Sequence, residues 1–323
     1  MKPQTETALA PLLLDPEGPV VVAVGGGHGQ AAALEAIQCY AGEISALVSV
    51  GDDGGSSGRL SDMGFPPPGD VRRCLLALTP EPSLWSELFS HRFKGGDVAE
   101  HSLGNLILAG LADLFGDFES AVTTAERMLG TLGSVIPVAN EAITLAATID
   151  GKRVVGQKTI SETAGDLSEL HIEPRDVAAT RRALTAVAAA DQIVIGPGSL
   201  YTSILSALKV NMLAPAIMGA AAQRVFVLNL VTQDGETLGM NGGEHLQALA
   251  KHVGVTGPGV VVAHDGPLRV PEGHDQVLID TDDAARNGWR VVFADVATNT
   301  ADWPEHDPMK LGRVLEDLAS TKD

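Results

Sequence analysis

The run Gly25-Gly26-Gly27-His28-Gly29 follows directly on the apolar stretch Val20–Val24. Glycines in that position let the backbone turn tightly and approach a ligand closely. The helix expected next would offer unpaired N–H groups and a positive dipole end to an anion. The dinucleotide fingerprint wants a third small residue where Gln30 stands, so spacing alone leaves two readings open: a phosphate cradle at Gly26, Gly27, His28 and Gly29, or a plain tight turn. His28 is the one histidine inside a candidate ligand loop. It would act as a general acid or, more simply, as a hydrogen-bonding or spacing residue.

A second loop strengthens the binding reading. Asp52 and Asp53 close another apolar run, where an acidic side chain meets ribose hydroxyls in dinucleotide folds. Gly54-Gly55-Ser56-Ser57-Gly58-Arg59 then brings backbone amides, two hydroxyls and a guanidinium together, and these groups suit phosphate oxygens. A solvated Gly/Ser surface loop is the plain alternative, and Asp52 with Asp53 holding Mg²⁺ against a diphosphate is a further one.

Pro68-Gly69-Asp70 opens a helix carrying Arg72 and Arg73, with Asp70 expected as its N-cap. Gly104-Asn105 begins another helix behind His101-Ser102. Gly196-Pro197-Gly198-Ser199-Leu200 is a third glycine-rich turn, and Asn229, Thr232 and Gln233 end a strand where they could read a base or sugar. Catalytic constellations are thin: no H-E-x-x-H, Walker lysine or G-x-S-x-G pattern occurs.

These residues need elements to hold them. Strand Val20–Val24, helix Gln30–Tyr40 and strand Ile44–Val50 read as a βαβ unit, which implies a parallel sheet with a right-handed crossover. Further strands are expected at Asp191–Ile195, Val225–Leu230, Val260–His264 and Val291–Asp295, with a helix from Gly196-Pro197-Gly198 to about Leu208 and another over Pro308–Ala319. In between, Leu103–Leu114 and Phe118–Leu129 read as helices, and Thr144–Ile149 with Arg153–Ile160 as a hairpin turned at Asp150-Gly151. Pro174–Ala190 reads as a helix opened by its proline, with Arg181 and Arg182 on a solvated face. The fold class expected is α/β: a Rossmann-like, mostly parallel sheet with flanking helices and an inserted helical and hairpin region. In a parallel sheet the glycine turns gather at the carboxyl edge, which argues for one extended anionic ligand.

The chain has 323 residues and a formal net charge of −19. A length prior of about 150 residues per domain allows one large domain or two ordinary ones. The expected organisation is a disordered lead over residues 1–19 and a single α/β domain over 20–323. So acidic a surface repels phosphate backbones and acidic membranes, which disfavours nucleic acid as the main partner. The two cysteines, Cys39 and Cys74, form neither a zinc pattern nor a disulfide framework and read as buried small apolar side chains. No apolar run approaches the roughly 18 residues of a membrane helix, and the Pro-containing N-terminus is unlike a secretory signal. A soluble, cytoplasmic protein without membrane insertion is expected.

Taken jointly, Gly25–Gly29, Asp52–Leu60, Pro67–Arg72, His101–Leu106, Ile195–Ser203 and Asn229–Thr237 resemble the gluconeogenesis factor (YvcK-like) family, within the 2-phospho-L-lactate transferase (CofD-like) superfamily. The likeness runs from about Val20 to the C-terminal helix. It implies a homodimer in the bacterial cytoplasm that binds UDP-sugars such as UDP-N-acetylglucosamine. It further implies a role in cell shape and cell-wall morphogenesis during gluconeogenic growth, with a cell-wall-synthesis regulator as partner and no cofactor required. Two departures stand out: His28 where many relatives carry Thr, and Glu305 where a basic residue is expected. Three functions follow in order: a nucleotide-sugar-binding regulator; a phospholactyl-type transferase acting on a deazaflavin precursor with Mg²⁺; and, from the βαβ unit alone, a nicotinamide-dependent dehydrogenase.

Overall fold

In the computed structural model the described residues are 14–51, 64–80, 82–96, 98–99, 101–163, 165, 167–298 and 303–321. Three strands come first, β1 (Val20–Gly25), β2 (Glu43–Val48) and β3 (Ser134–Pro137). Then come β4 (Thr144–Ile149), β5 (Lys152–Val155) and β6 (Leu167–Glu173), and finally β7 (Gln192–Ile195), β8 (Gln223–Val227), β9 (Gly259–His264) and β10 (Trp289–Ala294). Seven of them form one parallel sheet in the order β10-β9-β8-β7-β1-β2-β3, and β5-β4-β6 form a separate antiparallel sheet. The chain therefore builds outward from β1 in one direction, then restarts at β7 and builds in the other. Strand order reverses between β1 and β7, where Val24 pairs with both Leu47 and Ile195.

The sequences of the central strands explain their place. VVVAVG and QIVI carry almost no residue suited to water, and β1 and β7 are buried on both faces, as parallel strands between helical layers must be. One face is covered by α1 (Gly27–Ile37) and the helices Gly69–Ala77, Leu103–Phe115, Phe118–Leu129 and Pro308–Ser320. The other carries the helices Arg181–Ala189, Leu213–Gly219 and Gly242–Val253, together with the small sheet. Each fully buried Val, Leu or Ile there contributes about 1.5–3 kcal/mol against exposure.

Several local expectations are corrected. The helix expected from Pro174 starts at Arg181, because Thr180 wins the N-cap: its hydroxyl accepts from the Ala183 amide at 3.3 Å, whereas the preceding residues are tied to Asn211. Arg182 does not lie on a solvated face but reaches Thr123 and the Glu119 and Glu126 carboxylates. The hairpin forms as expected across Ile149 and Lys152, but its second strand ends at Val155 and gives way to the helix Gln157–Glu162. α1 begins at Gly27, three residues earlier than expected, so Gly25 ends β1, Gly26 is the N-cap, and Gly27, His28 and Gly29 open the helix rather than forming a loop ahead of it. Cys74 is buried, but Cys39 is exposed, with Sγ 3.8 Å from Met309 Sδ. No described helix is long and apolar enough to cross a membrane.

Candidate functional site

The reversal of strand order opens a crevice outside the carboxyl ends of β1 and β7, the position where open α/β sheets bind ligands. The turns leaving these two strands touch one another there. A Cβ placed on Gly29 would lie 2.5 Å from the Pro197 carbonyl oxygen and 2.8 Å from Gly198 Cα, so only glycine lets α1 start so close to the second turn. Gly27 is needed for a different reason, its φ of +69°. At Gly26 the crowding comes from inside the protein, since a Cβ would meet Asp70 Oδ2 at 2.4 Å. Gln30, which spoils the dinucleotide fingerprint, is wholly buried: its amide donates to the Ala23 and Leu47 carbonyls at 3.2 and 3.0 Å and accepts from the Cys74 thiol. The third glycine of the fingerprint packs helix onto strand; here a hydrogen-bonded amide joins α1 to β1 and β2 instead.

Asp70 is not an N-cap. Pro68 occupies that position, and Asp70, in the first turn with Gly69, pairs with Arg73 at 2.5 Å while its carboxylate abuts Gly26. Arg72 and Asn105, expected separately, are brought together: Arg72 Nε donates to Asn105 Oδ1 at 2.9 Å and Nη1 to the Phe89 carbonyl. Burial, with Arg73 and Arg92 nearby, lowers the Arg72 pKa to about 10. Gly104 permits this arrangement, since a Cβ there would meet the Phe89 carbonyl oxygen at 2.6 Å and Arg72 Cδ at 2.8 Å. Asp52, Asp53, Gly55, Ser56, Ser57, Gly58 and Arg59 lie outside the described residues; they follow Gly51 at the carboxyl end of β2.

The third glycine turn differs from the expected phosphate cradle. Gly196 and Gly198 adopt φ of +74° and +146°, and Ser199 and Leu200 lead into the helical segment Leu200–Leu208, whose first part is π-helical. Its leading amides are already taken. The Glu236 carboxylate accepts from the Tyr201 amide at 3.1 Å, the Thr202 amide at 3.5 Å and the Thr202 hydroxyl at 2.6 Å. A protein carboxylate thus fills the anion position of that helix, so these amides are not open to the extended anionic ligand expected at this edge. Burial outweighs these bonds and leaves the Glu236 pKa above the usual carboxylate value. Asn229 is similarly engaged, accepting from the Gly198 amide at 3.1 Å and donating to its carbonyl at 2.9 Å. Thr232 is fully buried, its hydroxyl accepting from the Asp275 amide. Gln233 keeps a free group: its Oε1 is buried without a hydrogen-bond partner.

A cleft of about 620 Å³ opens beside these turns. It is lined by His28, Gly29 and Glu35 of α1, by Pro197, Gly198, Asn229 and Gln233, and by Trp303, Glu305 and His306. The last three hang on a loop closed by the Ala297–His306 bridge and by Thr298 N donating to the Glu305 carbonyl at 2.9 Å. Lys310 Nζ ties the base of that loop to Asp295 and to the Ala297 carbonyl, each at 2.8 Å. Burial and the Arg73 charge lower the His28 pKa, and burial holds His306 down to about 4, so both rings are neutral near pH 7. Glu35, Glu236, Trp303 and His306 were missed in the sequence. Glu35 follows the first glycine run by six residues, Glu236 falls inside the Asn229–Thr237 run and His306 adjoins Glu305, but no local pattern singles any of them or Trp303 out. Among the described residues no group of three or more His, Cys, Asp or Glu side chains converges to hold a metal. The candidates for Mg²⁺, Asp52 and Asp53, lie outside those residues.

The family model described as 2-phospho-L-lactate transferase CofD matches residues 21–297, from β1 to the base of the Trp303 loop. A protein named gluconeogenesis factor from Bacillus subtilis is 36% identical over 310 residues, 93% of this chain and 98% of its own length. Another of that name from Halalkalibacterium halodurans is 41% identical over 251 residues, 77% of this chain and 78% of its own. This chain belongs to the gluconeogenesis factor family. A crystal structure of a UPF0052 family member from Bacillus halodurans superposes on it with a TM-score of 0.87 at 35% identity, covering 91% of this chain and 98% of the other. A second crystal structure of a Bacillus halodurans protein gives 0.88 at 35% identity over 93% and 99%. The family match spans both strands that flank the crevice, whereas Trp303, Glu305 and His306 of the cleft lie beyond the matched residues.

Proposed function

We propose that this protein is a nucleotide-sugar-binding regulator, taking a UDP-sugar such as UDP-N-acetylglucosamine and serving cell shape and cell-wall morphogenesis under gluconeogenic growth. The observation that carries the reading is the cleft at the β1–β7 reversal, where a 620 Å³ space meets two tightly packed glycine turns and the first turn of α1. Its volume lies within the roughly 300–1,000 Å³ of small-molecule sites. The diphosphate would lie toward α1's first turn and the Arg72–Arg73 side, with the Asp52–Arg59 loop next to it in sequence. Glu236 and Asn229 support the reading by holding the floor of the cleft rigid at Gly198–Thr202.

Isothermal titration calorimetry tests it, with UDP-N-acetylglucosamine, UDP-glucose, NAD and a deazaflavin acceptor as ligands. Micromolar binding of a UDP-sugar and none of the deazaflavin is expected. Binding of the deazaflavin alone, with product formed from a guanylylated phospho-acid donor and Mg²⁺, would overturn it in favour of a phospholactyl-type transferase.

A further inference from the structure

The described lining of the cleft is richer in hydrogen-bond acceptors than in cations. Among the described residues no Lys or Arg lines it, whereas Glu35 and Glu305 both do. Burial raises the Glu35 carboxyl above its ordinary value. His28 and His306, the other titratable groups in the lining, are neutral near pH 7. A phosphate beside Glu35 and Glu305 would meet like charge, while the Arg72 and Arg73 charges are felt at His28, in the first turn of α1. Arg72 and Arg73 belong to the helix Gly69–Ala77 and are not among the described lining residues.

What the cleft does offer is acceptors and an aromatic face. Glu35 and Glu305 accept hydrogen bonds only, when ionised. Gln233 also lines the cleft, and its Oε1 is buried with no partner of its own. Trp303 is 40% exposed at the cleft mouth and is steadied by an edge contact with His274, ring centroids 4.9 Å apart. A uracil edge would meet this wall badly, because it presents two carbonyl acceptors for one N–H donor. A pyranose meets it well: each hydroxyl donates to a carboxylate or amide oxygen, and the apolar C–H face of the ring lies on the indole.

We infer that the Trp303–Glu305–Glu35–Gln233 cleft is a subsite for a neutral, hydroxyl-rich pyranose, with Trp303 and Glu305 the residues that select for it. The inference rests on the nucleotide-sugar reading above and assigns one part of that ligand to one part of the crevice. The diphosphate and nucleoside lie beyond His28 and Gly29, on the side of Asp70, Arg72 and Arg73. Glu305 is thus a hydroxyl acceptor in this chain.

Titration calorimetry on the full chain, with UDP-N-acetylglucosamine and UDP as the two probes, tests the assignment. Trp303→Ala and Glu305→Gln should each weaken UDP-N-acetylglucosamine about tenfold, the equivalent of 1.4 kcal/mol, and shift UDP by less than twofold. Glu305 is exposed and Glu305→Gln keeps its volume, so that variant folds even if the loss of Trp303 disturbs its loop; circular dichroism checks both. Equal losses for the two probes would put the nucleoside in the cleft and overturn the assignment, as would no loss for either. Wild-type protein that binds neither probe would instead overturn the nucleotide-sugar reading, and this subsite with it.

Discussion

Replacing Gly29 by alanine should separate the two turns that build the crevice. The added Cβ would lie 2.5 Å from the Pro197 carbonyl oxygen, 2.7 Å from Pro197 C and 2.8 Å from Gly198 Cα. All three are backbone atoms, so no side-chain rotation relieves the contact. Restoring an ordinary separation of about 3.4 Å requires α1 and the Pro197–Gly198 turn to part by most of an ångström. Overpacking of this kind costs roughly 1–3 kcal/mol, and for a chain of this size that is a fall of about 1.5–4.5 °C in Tm. The same movement strains the pair of hydrogen bonds between Gly198 and Asn229, so UDP-sugar affinity should fall as well. Gly110→Ala is the control. Nothing lies within 4 Å of its Cβ position inside the helix Leu103–Phe115, so alanine there should stabilise by about 0.5–1 kcal/mol. Thermal and urea denaturation followed by circular dichroism measure both variants, and calorimetry measures binding. A Gly29→Ala protein as stable as wild type would refute the account of that glycine as a contact between turns.

Two further outcomes follow from the buried polar groups. Tyr40 donates to Gln192 Oε1 at 2.6 Å, and Gln192 and Gln223 pass the chain on to the Leu315 and Leu318 carbonyls of the C-terminal helix. Tyr40→Phe should therefore cost about 1–3 kcal/mol in urea denaturation by leaving a buried acceptor unpaired, with ligand affinity unchanged because this network lies at the amino ends of the strands. Burial holds the His306 imidazole at about 4, down from 6.5, while Nε2 donates to the Leu228 carbonyl at 3.2 Å. A lowered histidine pKa makes the unfolded chain the better proton acceptor, so its contribution is complete above pH 6.5 and is lost as pH falls through 4. At 1.36 kcal/mol per pH unit the loss is at most roughly 3 kcal/mol. His306→Gln should flatten that part of the stability curve; identical acid-side slopes for wild type and variant would contradict the assignment.

Much of the frame was legible because it is encoded locally. Val20–Val24, Asp191–Ile195 and Val260–His264 are apolar runs too short for helices, and they form β1, β7 and β9 within a residue or so. Gly116 and Gly130 end the helices Leu103–Phe115 and Phe118–Leu129 in the left-handed conformation expected of glycine caps. The glycine turns at the ends of β1 and β7 could be placed at one edge, since a parallel sheet leaves no other arrangement. Harder to read were β3, which carries a proline at its end as a sheet edge allows, and β6, whose pattern SELHIE mixes exposed and buried positions.

The sequence by itself determined the α/β class, the parallel sheet and the family, because hydrophobic period, turn glycines and motif order are properties of neighbouring residues. Only the tertiary structure decided what the polar groups do. Glu236 meets the Tyr201 amide across 35 residues, Arg72 meets Asn105 across 33, and Gln30 reaches Leu47 across a strand boundary. Each pairing depends on which chain segments the closed fold brings together and on the cost of leaving a buried polar group unpaired, a choice that no local pattern contains. The same holds for the cleft: Glu35, Gln233, Trp303 and Glu305 come from three separate stretches of chain, and their common chemistry exists only once β1 and β7 lie side by side.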